Sequence, residues 1–200
     1  NIQFSNTLRK KKIILTGAAG QLGEHYIDVL TSLGAFVIAV DINRLKLSKI
    51  INTINKKYSS KRVVMRVTDI TKQKNVKKIF SDISKNYGLV DILINNASYV
   101  QTKHIKAGKV QTFEKFSNKI WKDTLCVNLD GAFYCCQEAG KHMLKNRKGV
   151  IVNVASIYGM VASDQRIYGK SGLNSNIAYA VSKAGIIKRL GKDLANLIDD

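Results

Sequence analysis

The 200-residue sequence contains no proline, so no proline-containing loop is available to it, and it has only three cysteines and three histidines. Cys126, Cys135 and Cys136 are odd in number, no pair has a two-residue spacer, and Cys135 and Cys136 are adjacent on a predicted helix. That pattern counts against a disulfide framework and against a zinc site. His25, His104 and His142 share no ligand spacing with one another or with a cysteine, so no metal site is expected. Long apolar runs are also missing. The longest, Ala35 to Val40, is six residues, against about 20 for a membrane span. Residues 1–12 carry no apolar run of the kind a secretory signal needs, so a cytoplasmic location is expected. Residue 1 is not Met, which suggests a fragment.

Acidic residues are scarce as well, 14 against 33 Lys and Arg, for a formal net charge of +19 at pH 7. Such an excess invites a nucleic-acid or membrane-surface reading. Lysine supplies 26 of the 33, however, spread along predicted helix faces (Lys46, Lys49, Lys56, Lys57; Lys72, Lys74, Lys77, Lys78) with no recognition motif and no interleaved aromatics. Solvated helix faces explain them better, and no specific nucleic-acid or membrane partner is expected. Ile and Asn are abundant beside Lys, a broad bias in residue usage rather than a binding stripe.

What remains is an ordinary globular composition, 45% apolar and 24% charged, in a chain long enough to bury roughly 70% of its unfolded surface. Short β-rich runs at Ile13 to Leu15, Phe36 to Val40, Val63 to Val67, Ile92 to Asn95 and Val150 to Val154 alternate with segments of helical period. The helices are predicted at Gln21 to Leu33, Leu45 to Lys57, Lys72 to Tyr87, Phe113 to Leu125, Gly131 to Asn146 and Ala178 to Ile198. This is the signature of βαβ units. It predicts an α/β fold, a Rossmann-type doubly wound parallel sheet with helices on both faces in three α/β/α layers. No repeat or linker interrupts it, so residues 1–200 read as a single domain. The least regular stretch, Gly159 to Asn176, reads as a long loop.

Thr16-Gly17-Ala18-Ala19-Gly20-Gln21-Leu22-Gly23 follows the first strand and opens the first helix. Gly17 and Gly20 permit a tight turn whose N–H groups can approach a pyrophosphate, and Gly23 lets the helix pack closely on the sheet. A plain βα turn would use the same glycines. The next strand ends at Asp41, eighteen residues beyond Gly23, where a dinucleotide site places the acid that accepts the ribose hydroxyls. A carboxylate there repels a 2′-phosphate, so NAD(H) is preferred; Arg44, three positions on, keeps NADP(H) open. Asp41 could equally be a helix N-cap.

Tyr179-Ala180-Val181-Ser182-Lys183 places a phenol and an ammonium on one helical face. A phenol with its ordinary pKa of about 10 needs a nearby fixed cation to transfer protons near neutrality. Three further segments accompany it in order: Asn95-Asn96-Ala97-Ser98 closing a strand, Asn128 between two helical segments, and Ser156 after the strand ending at Val154.

In that order the motifs resemble those of the short-chain dehydrogenase/reductase family, over essentially all 200 residues. The resemblance implies Tyr179 as acid/base, Lys183 lowering its pKa and holding the nicotinamide ribose, and Ser156 bonding the substrate oxygen. It implies Asn128 as the anchor of a proton-relaying water, and Asn95, Asn96 and Ala97 on the adenosine side, steadying the central strand. Asp69 and Ile70 match the adenine-contacting position, with Gly17, Gly20, Gln21, Leu22, Gly23, Asp41, Tyr179 and Lys183 completing the cofactor set.

Three features depart from the family pattern. The spacing Gly17, Gly20, Gly23 resembles extended members such as nucleotide-sugar epimerases and dehydratases; Ser98 stands where Gly is usual; and Ser156 and Tyr179 are 23 residues apart, longer than usual. The stretch from Ser156 to Tyr179 is similar to members of bacterial surface-sugar pathways. The family continues beyond this helix with a strand, a Pro-Gly cofactor loop and substrate-binding helices, so the domain is expected to be truncated at its C-terminus.

The expectation is an NAD(H)-dependent oxidoreductase acting on a small-molecule secondary alcohol or ketone, sugar or polyol-like, and forming a homodimer or homotetramer. An epimerase or dehydratase that retains its NAD, and a non-catalytic dinucleotide-binding module, are the alternatives. If Asp41 reads the ribose, Asp41→Ala relaxes the preference for NADH over NADPH in paired fluorescence titrations; an unchanged ratio would refute that role.

Overall fold

The computed structural model describes residues 7–100, 113–162, 164, 166, 167, 169 and 176–190. Five strands, β1 (Lys12–Thr16), β2 (Phe36–Asp41), β3 (Val63–Val67), β4 (Ile92–Asn95) and β5 (Val150–Asn153), form one parallel sheet in the order β3-β2-β1-β4-β5. The chain moves outward from β1 through β2 to β3, then returns to β4 on the other side of β1. That reversal opens a crevice at the carboxyl ends of β1 and β4.

Helices cover both faces because the central strands alternate apolar side chains to each side. Ile13 and Leu15 of β1, with Val37 and Ala39 of β2, pack on Ile27 of α1 (Gln21–Ser32) and on Leu47, Ile50, Ile51 and Ile54 of α2 (Arg44–Lys57). Ile14, Ile38 and Val40 point the other way. They meet Val76, Ile79, Phe80 and Ile83 of α3 (Gln73–Tyr87) and Cys135, Cys136, Ala139 and Met143 of α5 (Gly131–Asn146). The result is the expected three-layer α/β/α arrangement.

Helix ends follow capping chemistry. Asn43 Oδ1 accepts the Lys46 N–H at 3.0 Å and starts α2 one residue before the expected Leu45. Asp41 therefore is not the N-cap; its carboxylate accepts the Asn43 N–H at 2.8 Å and supports the residue that is. Lys72 caps α3 rather than belonging to it, and α1 ends at Ser32 with Leu33 as its C-cap. The helix expected over Phe113 to Leu125 is instead a 3-10 turn, Phe113–Lys115, followed by α4 (Asn118–Leu125). Ser117 breaks it by turning its hydroxyl onto the Ile120 N–H.

Asn128 lies between two helical segments, α4 and α5, as expected. It lies in a π turn, Cys126–Asp130, through which α4 runs continuously into α5. β5 ends at Asn153, one residue short of Val154, although the Val154 N–H still bonds Asn95 O at 2.9 Å. α6 (Ile177–Gly185) is capped by Asn176, whose side chain accepts the Ala178 and Tyr179 N–H groups, and it continues as a π turn, Ile186–Leu190. Residues 191–198 of the expected last helix lie outside the described residues, as does most of the expected loop before Asn176. A 3-10 turn, Ile157–Gly159, occupies the start of that loop.

The three cysteines are free thiols. Among the described residues no helix is long and apolar enough to cross a membrane, and no group of His, Cys, Asp and Glu is placed to hold a metal.

Gly23 is where α1 touches the turn before it: a Cβ there would lie 2.3 Å from Gly17 O and 2.8 Å from Ala18 C. Both neighbours are backbone and cannot swing aside. Gly23→Ala is expected to cost about 3 kcal/mol, the upper range of overpacking, read as a lower urea midpoint at unchanged slope.

Candidate active site

The crevice at the strand ends is a groove of about 520 Å³ lined by residues from four successive strand termini, within the range of small-molecule pockets. One wall is the turn after β1. Gly17 has φ +65°, and a Cβ on it would sit 2.6 Å from Ala97 Cα, so the turn lies directly against the end of β4. Thr16 secures that contact. Its buried hydroxyl accepts the N–H groups of Asn96 and Ala97, each at 3.1 Å, and the Asn96 amide donates to Thr16 O at 3.2 Å and Gly17 O at 3.1 Å.

The opposite wall comes from β2 and β3. Asp41 lines the groove with both carboxylate oxygens engaged, one by the Ala19 N–H at 2.9 Å and the other by the Asn43 N–H at 2.8 Å. Asp41 thus ties the glycine turn to the start of α2 while facing the cavity. Asp69 Oδ1 accepts both the N–H and the hydroxyl of Thr71, and Ile70 links the groove to the core.

A dinucleotide fits this groove on the structure's own terms. α1 follows Gly20, its N-cap, with no side-chain cap, so its first N–H groups stay available to an anion beside a turn in which a Cβ on Gly17 would strike backbone. Gly17, Gly20, Gln21, Leu22, Asp41, Asp69, Ile70, Asn96 and Ala97 all line the groove. Gly23, Asn95, Tyr179 and Lys183, also expected at the cofactor, do not. Gly23 serves the packing of α1, and the buried Asn95 side chain turns into the protein, its amide donating to Asn153 Oδ1 at 2.8 Å and Cys136 Sγ at 3.1 Å. Burial pushes the Cys136 thiol up to about 12, so it meets Asn95 as a neutral group.

The remaining candidates gather around α6. Lys183 is 2% exposed, and its ammonium donates to Val154 O at 2.6 Å, just past β5, while lying 5.6 Å from the centre of the Tyr179 ring. Ser156 follows two residues later and accepts the Tyr158 N–H at 3.2 Å. The 3-10 turn it starts is pressed onto α6, since a Cβ on Gly159 would lie 2.7 Å from Lys183 C. Asn128, 1% exposed, accepts the Tyr99 N–H at 2.6 Å and donates to Tyr99 O at 3.3 Å and Ser182 Oγ at 3.1 Å. The Ser182 hydroxyl in turn donates to Tyr179 O at 2.7 Å. The side chain of Asn128 is therefore occupied by protein groups, and it joins α6 to Tyr99 in the groove wall.

Thr16, Ala19, Tyr99 and Ser182 were not identified from sequence. Thr16 and Ser182 carry a local signal, since they adjoin Gly17 and Lys183; Tyr99 and Ala19 act through backbone N–H groups that any residue supplies.

The sequence pattern of the short chain dehydrogenase family matches residues 11–197. An NAD-dependent glycerol dehydrogenase of Listeria innocua is 28% identical over 177 residues, covering 88% of this chain and 61% of that protein. A 3-oxoacyl-acyl-carrier-protein reductase of Thermotoga maritima is 31% identical over 191 residues, covering 94% and 70%. A crystal structure of an NAD⁺-bound xylitol dehydrogenase superposes with a TM-score of 0.77 at 25% identity, over 95% of this chain and 67% of that one. The chain thus spans between 61% and 70% of the length of these relatives.

Burial lowers the pKa of Lys183 below its ordinary 10.5. Between the lowered folded value and 10.5 the unfolded chain binds more protons, so this residue makes stability rise with pH in that window. Lys183→Met removes the titration. The stability difference between parent and variant, measured by urea unfolding, should move in the parent's favour as pH climbs toward 10.5; a pH-independent difference would show that burial leaves the ammonium unperturbed.

Proposed function

The chain belongs to the short chain dehydrogenase family, and we propose that it is an NAD(H)-dependent oxidoreductase moving a hydride between nicotinamide and a secondary alcohol or ketone. The observation that carries this reading is the juxtaposition of two units: a groove with Asp41 on one wall and an open helix terminus on the other, and a buried Lys183 beside Tyr179, joined through Asn128. Bound nicotinamide supplies the hydride donor or acceptor.

The chain's own residues handle the proton and the orientation. In this reading Tyr179 exchanges a proton with the substrate oxygen, Ser156 hydrogen-bonds the same oxygen, and the Lys183 ammonium holds positive charge beside the phenol. Asn128 keeps α6 in register with the groove wall. Asp41 and the glycine turn favour NAD(H) over NADP(H), because a carboxylate repels a 2′-phosphate. The NAD-dependent and NAD⁺-bound relatives support that choice.

The glycerol and xylitol dehydrogenases favour a polyol or sugar-like substrate, and dehydrogenation rather than epimerisation. A place in surface-sugar synthesis is a finer reading resting on the sequence from Ser156 to Tyr179. We read residues 1–200 as one NAD(P)-binding domain that pairs into dimers or tetramers along α5 and α6, where Phe133 is 45% exposed.

The test is a fluorescence titration with NADH and NADPH, followed by polyol oxidation by the parent and by Tyr179→Phe. Tighter NADH binding is expected in both proteins, with turnover lower by about 10²-fold or more in the variant. A folded chain that binds neither cofactor, or a variant as active as its parent, would overturn the reading.

A further inference from the structure

A second cavity, of about 420 Å³, lies between α3 and α5 and shares no residue with the cofactor groove. Its floor is the edge-to-face pair of Phe80 and His142, ring centres 5.5 Å apart at 86°. Four lysines rim it, Lys77 and Lys85 from α3, Lys141 and Lys145 from α5, with Ser81 and Ser84 between the first two. Their placement follows helix geometry. Residues 77, 81, 84 and 85 share one face of α3, and 138, 141, 142 and 145 one face of α5.

The charge in this cleft is unbalanced. Among the described residues Glu138 is the one carboxylate lining it, and Lys141 holds that group at 2.7 Å. Among the described residues Lys77, Lys85 and Lys145 have no ion-pair partner. His142 contributes a donor rather than an acceptor: Val90 N–H donates to its Nδ1 at 3.3 Å, which leaves the proton of the neutral ring on Nε2. Burial and the charge of Lys145 lower the pKa of that ring below the ordinary 6.5, against the opposing pull of Glu138. Lysines rimming a concave, partly apolar surface focus positive potential where an anion would relieve it.

We propose that the cleft between α3 and α5 binds a small molecule carrying two or more phosphate groups. Lys77 and Lys85 are eight residues apart, about 12 Å along the helix, and Lys141 and Lys145 about 6 Å. That array suits separated phosphates better than a single one. The concavity and its aromatic floor suit a small ligand better than the broad surface of an acidic protein. The proposal is independent of the oxidoreductase reading, since no groove residue takes part.

The experiment is a titration of the ¹⁵N-labelled chain with fructose 1,6-bisphosphate as probe, at roughly 150 mM salt to screen loose ion binding, followed by amide shifts. Expected are saturable shifts at Ser81, Ser84 and His142, weaker binding of inorganic phosphate at the same residues, and an apparent Kd raised by about tenfold or more in Lys77→Ala/Lys145→Ala. Lys46→Ala/Lys49→Ala, equal in charge change but on α2, should bind as the parent does. Equal weakening in both double variants would reduce the effect to net charge and overturn the proposal. So would shifts confined to the glycine turn or a failure to saturate, and tighter binding of a decaglutamate peptide at the same residues would assign the cleft to an acidic protein instead.

Discussion

The candidate site depends on one contact between backbones. Gly17 lies so close to Ala97 that a Cβ on it would approach the Ala97 Cα to 2.6 Å, and this proximity lets Thr16 and Asn96 lace the turn after β1 to the end of β4. β1 and β4 are neighbours in the sheet but separated in sequence by α1, β2, α2, β3 and α3. Joining their ends closes one wall of the groove and aims the uncapped start of α1 into it. Asp41 makes the corresponding join from the other side by binding the Ala19 N–H.

From this corner the geometry passes to α6 through buried polar groups. Asn128 clamps Tyr99 by two backbone bonds and reaches Ser182, which bonds Tyr179 O. Lys183 reaches Val154 at the end of β5. A buried amide or ammonium without partners costs several kcal/mol, so these groups hold the last helix to the sheet as well as to one another. The π turn at Cys126–Asp130 presents Asn128 inward without ending the helix that carries it, in keeping with such bulges at functional sites.

The basic character of the chain acquires a local meaning in three dimensions. Read along the sequence, the lysines are solvated helix faces, and on α2 that description holds, with Lys46 and Lys49 exposed. On α3 and α5 equally exposed lysines rim a cavity whose described lining holds a single carboxylate. Periodicity places a lysine on a helix face; it does not say which other face that face will meet.

Much of the fold was legible because its causes are local. Alternation of apolar residues, the glycine turn and the spacing of helical segments predict five strands, their partner helices and the α/β class, and the sheet contains those strands within a residue or two. The misplaced boundaries arise where a side chain competes for backbone N–H groups, as Ser117 does in splitting the helix expected from Phe113. Candidate residues were legible where chemistry demands a residue type: a missing Cβ at Gly17, a carboxylate at Asp41, a phenol and an ammonium one turn apart. Their company was not. That Asn95 faces inward to Asn153, that Asp41 spends its oxygens on Ala19 and Asn43, and that Asn128 grips Tyr99 follow from strand order and helix docking. The sequence by itself determined the elements and the reactive groups, since both are written in spacing and residue type; only the tertiary structure decided the partners, because contacts between distant segments depend on how buried faces and polar groups are satisfied together.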